Sequence, residues 1–184
     1  PSPYLVLSGI TNEDQTFGAN FTGANNTGMP NILFSTERYS QVDNPNNMQW
    51  EFPVANGDYT INLYFAEVWT GAQNAGIRVF DVEIEGQLVL DDFDQTDAYG
   101  WNTAGVASIP VTVTDGVIDI DFIKDLQNPS IKGIEIIGST TGVPNTLTGT
   151  LTLQGRTDHS GDIVVELYET GTSNLAGSFT PTTD

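Results

Sequence analysis

Two charged residues in the stretch YFAEVWTGAQNAGIRVFDVEIEG, residues 64 to 86, stand where a strand pattern predicts apolar side chains, and a Trp sits at the mouth of the loop between them. Alternation from Leu63 and Phe65 lands on Glu67, and alternation back from Phe80 lands on Arg78, so both charges point into the core layer. A carboxylate and a guanidinium become tolerable there by pairing, and a bidentate clamp at the base of the intervening loop is the expected arrangement. Trp69 follows past the last core position of its strand, which makes it a candidate for display to a ligand rather than for packing.

Other residue types invite chemistry less strongly. Asp91, Asp92, Asp94 and Asp97 crowd LDDFDQTD, and a hard cation such as calcium wants several carboxylate oxygens, but the spacing is not that of a calcium-binding loop. A solvated acidic loop is the preferred reading, with no cofactor expected. Asp158-His159-Ser160 has the residue types of a hydrolytic triad without its geometry, because triad members converge from separate parts of a chain. His159 reads as a turn residue, and catalysis is not expected.

Strands must position these groups. Period-two alternation dominates the chain, and no window holds a convincing helical period, so the fold class is all-β. Tyr59, Ile61, Leu63 and Phe65 share one face, Phe80, Val82 and Ile84 another, with Gln87 to Leu90 as the partner of the second strand across the Gly86 turn. IPVTVTDGVIDIDFI reads as a β-hairpin closed by Asp115-Gly116, with Ile118, Ile120 and Phe122 on one face. Tyr4 to Leu7 and Ser130 to Ile137 supply a first and a last strand, and these ends are expected to pair.

The linker STTGVPN separates this unit from a second one, giving expected boundaries of 1–138, 139–146 and 147–184. GTLTLQGR and DIVVELYE in the second unit are similar to the opening of Ig-like, carboxypeptidase regulatory-like domains of surface proteins. That unit has too few strands to be stable alone, and its unpaired edges suit β-augmentation.

Composition bounds the partners. The chain has 184 residues, no cysteine, and 24 acidic against 5 basic residues for a net charge of −19. Disulfides and thiolate chemistry are excluded, and nucleic acid and anionic membrane surfaces are repelled. No apolar run approaches the ~18 to 20 residues that span a bilayer, so membrane insertion is not expected. Few charges, and many Asn, Thr, Gly and Ser, fit a secreted or cell-surface β-domain.

Four blocks, ILFSTERY, YTINLYFAEV, GIRVFDVEIEGQLVLDDFD and NPSIKGIEIIG, occur between residues 32 and 137 in the order of the malectin family, which this region resembles. The resemblance implies a jelly-roll-type β-sandwich that binds oligosaccharide without cleaving it, in a groove made by loops at one end. In animal members an aromatic pair follows the FAEV strand, and the matching positions here are Trp69 and Thr70. Tyr39 matches another groove aromatic and Phe21 a further one. Gln127 stands where those members place a sugar-binding Asp before the NP dipeptide, with Asn128 adjacent and set to start the turn at Pro129. The functional expectation is a carbohydrate-binding module of an extracellular modular protein. The alternative is a structural or adhesive subunit that forms homo-oligomers or fibres through its C-terminal strands.

Overall fold

The computed structural model describes residues 3–6, 12–16, 21–40, 48–138, 165–168 and 175–179; for 12–16, 165–168 and 175–179 only the backbone is considered. The chain divides into two compact units, residues 1–143 and 144–184. The expected linker and His159 lie outside the described residues. In the second unit the description covers one antiparallel strand pair, Val165–Tyr168 with Leu175–Phe179.

In the first unit the strands are β1 (Leu5–Val6), β2 (Asn12–Thr16), β3 (Ala24–Asn25), β4 (Thr36–Ser40), β5 (Met48–Pro53), β6 (Gly57–Ala66), β7 (Val79–Ile84), β8 (Gln87–Phe93), β9 (Thr103–Val113), β10 (Val117–Leu126), β11 (Ser130–Ile131) and β12 (Gly133–Gly138). A short helix, α1 (Gln95–Tyr99), joins β8 to β9. One sheet has the order β1-β5-β10-β7-β8, a second β12-β6-β9-β3, and a third, small one β11-β4-β2.

The first two sheets bury a common core. Ile61, Leu63 and Phe65 of β6 meet Phe80, Val82 and Ile84 of β7, Ile118, Ile120 and Phe122 of β10, and Met48 and Trp50 of β5. Each fully buried side chain of this size contributes about 1.5–3 kcal/mol, so this layer drives the folding of the unit. Phe65, Phe80 and Phe93 pack edge-on or tilted, with ring centroids 4.8 to 6.2 Å apart. The opposite face of β6 is covered too: Tyr64 and Ala66 join Phe21, Phe34 and Ala104 in a second apolar cluster beneath residues 21–35.

Two strand pairings differ from the sequence reading. Residues 109 to 123 are not a hairpin: β9 pairs with β6, whereas β10 pairs with β5 and β7 in the other sheet. The Asp115-Gly116 turn therefore carries the chain across the sandwich, and the Val54 N–H donates to the Gly116 carbonyl at 2.9 Å. Alternation fixes which face is buried and is blind to which sheet a strand joins, so a crossover and a hairpin read alike. The chain ends do not pair either. β1 lies on β5, with Leu5 opposite Trp50, while β12 lies on β6. The last strand also breaks at Lys132 into β11 and β12.

Glu135 on β12 shows how the outer surface of the second sheet is tied. Its carboxylate accepts from Asn62 Nδ2 at 2.8 Å and from the Tyr64 hydroxyl at 2.7 Å. These two bonds, that from Asn62 first, hold the Glu135 carboxyl below its ordinary range. A depressed carboxyl stabilises the fold above its unfolded value, and that stabilisation is lost as pH falls through the folded value. NMR titration of Glu135 should show its midpoint rising in Asn62→Ala and, by less, in Tyr64→Phe; an unmoved midpoint in both contradicts this account.

Candidate functional site

Beyond Ala66 the chain leaves the β6 ladder, and the next four residues define one end of the sandwich. Glu67 is 2% exposed and Arg78 6%. Arg78 Nε donates to Glu67 Oε2 at 2.5 Å, and Glu67 Oε1 accepts the Trp69 backbone N–H at 2.9 Å. The carboxylate thus divides its oxygens between the guanidinium and the loop backbone, where a two-pronged contact with Arg78 had been expected. Burial pushes the Glu67 carboxyl above its ordinary value, and the charge of Arg78 acts against that.

Arg78 reaches two further groups. Its Nη1 donates to the Asn128 carbonyl, and its Cζ lies 5.8 Å from the centroid of the Trp69 ring. One buried guanidinium therefore fastens the Trp69 loop to the Gln127–Asn128 loop, which are far apart in sequence. Trp69 itself is 41% exposed. Its indole lies against Gly71, where a Cβ would come within 2.2 Å of Cζ2, so only glycine leaves room for this ring position. Cation, backbone bond and glycine contact together hold an exposed ring in one place.

α1 braces the same loop from the other side. Asp94 caps the helix, accepting from Thr96 N at 2.7 Å and Asp97 N at 3.2 Å, and its second oxygen takes the Gly76 N–H at 2.5 Å. Thr96 Oγ1 donates to the Ala72 carbonyl at 2.9 Å. The buried Gln95 amide donates to Ser130 Oγ at 2.8 Å, linking α1 to the strand after Asn128.

A second buried pair lies in the same unit and was not part of the sequence reading. Lys132 Nζ and Glu37 Oε2 are 2.9 Å apart, with both side chains almost completely enclosed. Burial lowers the Lys132 ammonium from its ordinary value, opposed first by the Glu37 charge. The signal was available in principle: in SIKGIEI, a lysine interrupts a run whose neighbours Ile131 and Ile134 pack in the core. Glu37, in the strand-end block TERY, turns inward to meet it.

The sequence candidates separate accordingly. Trp69 and the Asn128 backbone meet at Arg78, and Thr70 and Gln127 are their chain neighbours. Thr70 and Gln127 are exposed, and Gln127 takes a left-handed backbone, φ 60°. Tyr39 is half-buried on β4, opposite Ser130. Phe21 is not a groove residue: it is 6% exposed and packs on Phe34 with ring centroids 5.5 Å apart. Its position among polar residues hid a cluster supplied by Phe34, Tyr64 and Ala66 from elsewhere in the chain.

The acidic segment disperses. Asp94 turns inward as the helix cap, while Asp91, Asp92 and Asp97 stay exposed. Asp92 instead approaches Asp81 and Asp125, with one carboxylate oxygen of each lying within 4.8 Å of the others. Burial and then the Asp81 and Asp92 charges raise the Asp125 carboxyl. The four residues weighed as calcium ligands do not converge on one point.

Comparison with known proteins bears on what this end of the sandwich is for. The model of the malectin domain family matches residues 8–142. The chain belongs to the malectin domain family. It is similar to mouse malectin, with 30% identity over 149 residues that make up 73% of this chain and 49% of that protein. The chain thus spans about half the length of that relative. Its fold is shared with a chain of the complex of plant peptide RALF23 with FER and LLG2, at a TM-score of 0.63 and 18% identity, covering 76% of this chain and 42% of that one. It is also shared with part of Bacteroides uniformis β-glucuronidase, at a TM-score of 0.56 and 21% identity, covering 71% of this chain and 14% of the enzyme. The two structural likenesses show the malectin-like β-sandwich alone.

Proposed function

We propose that this malectin domain is a non-catalytic carbohydrate-binding module of a secreted or cell-surface protein, taking oligosaccharide at the sandwich end that carries Trp69. The carrying observation is that Trp69 is exposed yet fixed by Glu67, Arg78 and Gly71. An exposed, pre-positioned indole stacks on the apolar face of a sugar at little cost in conformational entropy. Gln127, Thr70 and Tyr39 supply amide and hydroxyl groups for sugar hydroxyls. Hydrolysis needs a pair of available carboxyl groups, and Glu67, the acid beside Trp69, has both oxygens engaged.

A glycan array with the full chain tests this reading, followed by calorimetry on single variants. Trp69→Ala should weaken binding about tenfold or more at an unchanged unfolding midpoint, and Tyr39→Ala by less. Unchanged sugar affinity in both variants would sink the site assignment. A protein or peptide partner, or assembly through strand edges, is the competing reading. The RALF23 complex, in which a malectin-like fold occurs alongside a peptide, favours it. Sugar-independent self-association in light scattering would support it.

A further inference from the structure

Trp101 has no part in the site as described so far, and it stands 38% exposed in the turn between α1 and β9. It is set between Gly100, φ 91°, and Asn102, φ 55°, two left-handed residues that lift the segment out of regular structure. The β6–β9 register runs Leu63 to Ala107, Phe65 to Gly105 and Ala66 to Ala104. The ladder ends at that last pair, and both tryptophans lie a few residues beyond it.

Both tryptophans stand just past that end of the ladder, Trp69 two residues beyond Glu67 and Trp101 one before Asn102, and both are exposed there.

The backbone keeps them together there. The Asn102 N–H donates to the Glu67 carbonyl at 2.8 Å, one residue off the regular register, a shift the left-handed Asn102 accommodates. Glu67 therefore holds both segments, the Trp69 N–H with its side chain and the Asn102 N–H with its carbonyl. α1, immediately before Trp101, is bonded to the Trp69 loop through Asp94 to Gly76 and Thr96 to Ala72. Tied to the same Glu67 and braced by the same helix, the two indoles are placed to serve one ligand chain rather than two separate molecules.

We propose that Trp101 is a second stacking platform beside Trp69, and that the pair takes successive units of one neutral oligosaccharide. The inference rests on the carbohydrate-binding reading above. Neutrality follows from charge. The chain carries −19 overall, which repels anionic glycans, and the guanidinium against Trp69 is neutralised by Glu67. What the two rings offer is apolar area for sugar C–H faces, and the cation against Trp69 is already paired.

Calorimetry on the full chain with maltose through maltohexaose, and with the disaccharide and hexasaccharide of the neutral series ranked first on the array, tests the pairing. Trp101→Ala should leave disaccharide affinity within about twofold and weaken the hexasaccharide about tenfold, whereas Trp69→Ala weakens both. Trp101→Tyr, which keeps a ring, should restore most of the loss and guards against misfolding of the alanine variant. Trp101→Ala binding every length as the wild type does, or weakening every length equally, overturns the inference while Trp69 keeps the carbohydrate reading intact. A wild-type chain that binds no neutral glycan overturns both. A change in oligomeric state without a change in sugar affinity assigns Trp101 to a protein contact and overturns the pairing.

Discussion

Arg78→Met should unfold well below the wild-type protein, with a loss of about 3–5 kcal/mol measured by urea or thermal unfolding. The substituted side chain fills similar space, so the loss comes from electrostatics. Glu67 would keep an enclosed carboxylate with Oε2 stripped of its donor, and the Asn128 carbonyl would lose the Nη1 bond. Burial already raises the Glu67 carboxyl, and the Arg78 charge is the chief influence against it, so removing Arg78 raises it further. A carboxyl raised on folding stabilises the native state below its unfolded value, and that stabilisation is lost as pH rises through the folded value. The deficit of Arg78→Met is therefore largest at neutral pH and shrinks toward acid. A variant that unfolds at the wild-type midpoint at neutral pH removes the clamp from the account.

The faces of the core strands were legible because each side chain on β6, β7 and β10 answers to one local rule, alternation about a buried layer. Glu67 and Arg78 were legible for the same reason, as charges on faces that alternation assigns to the core. The crossover at Asp115-Gly116 was not, because strand exchange between sheets leaves the alternation of Ile118, Ile120 and Phe122 unchanged. Phe21 was misread and Lys132 passed over for a different reason. Each is fixed by partners far away in sequence, Phe34 and Tyr64 in one case and Glu37 in the other, and local pattern carries no record of such partners. Trp101 was missed because its place beside Glu67 depends on the Asn102 bond between segments far apart in sequence.

Lys132→Met should cost as much as Arg78→Met, about 3–5 kcal/mol, because it leaves the Glu37 carboxylate enclosed without the ammonium it faces. Surface ion pairs are worth about 0–1 kcal/mol, so a loss of that smaller size would place this pair with solvated contacts. The sharper measurement is a double-mutant cycle. In Lys132→Met with Glu37→Gln, the glutamine replaces a charge with a neutral amide, and the double variant should lose less than the sum of the singles, with a coupling of about 1–3 kcal/mol. Additivity within about 0.3–0.5 kcal/mol would mean that the two charges do not depend on each other despite their 2.9 Å separation. The corresponding cycle on Glu67 and Arg78 should recover only part of the loss. Glu67 also holds the Trp69 N–H and Arg78 the Asn128 carbonyl, so removing both side chains still leaves two loop groups without their partners. The clamp that displays Trp69 is thus hard to replace, because its two side chains bind the loops as well as each other.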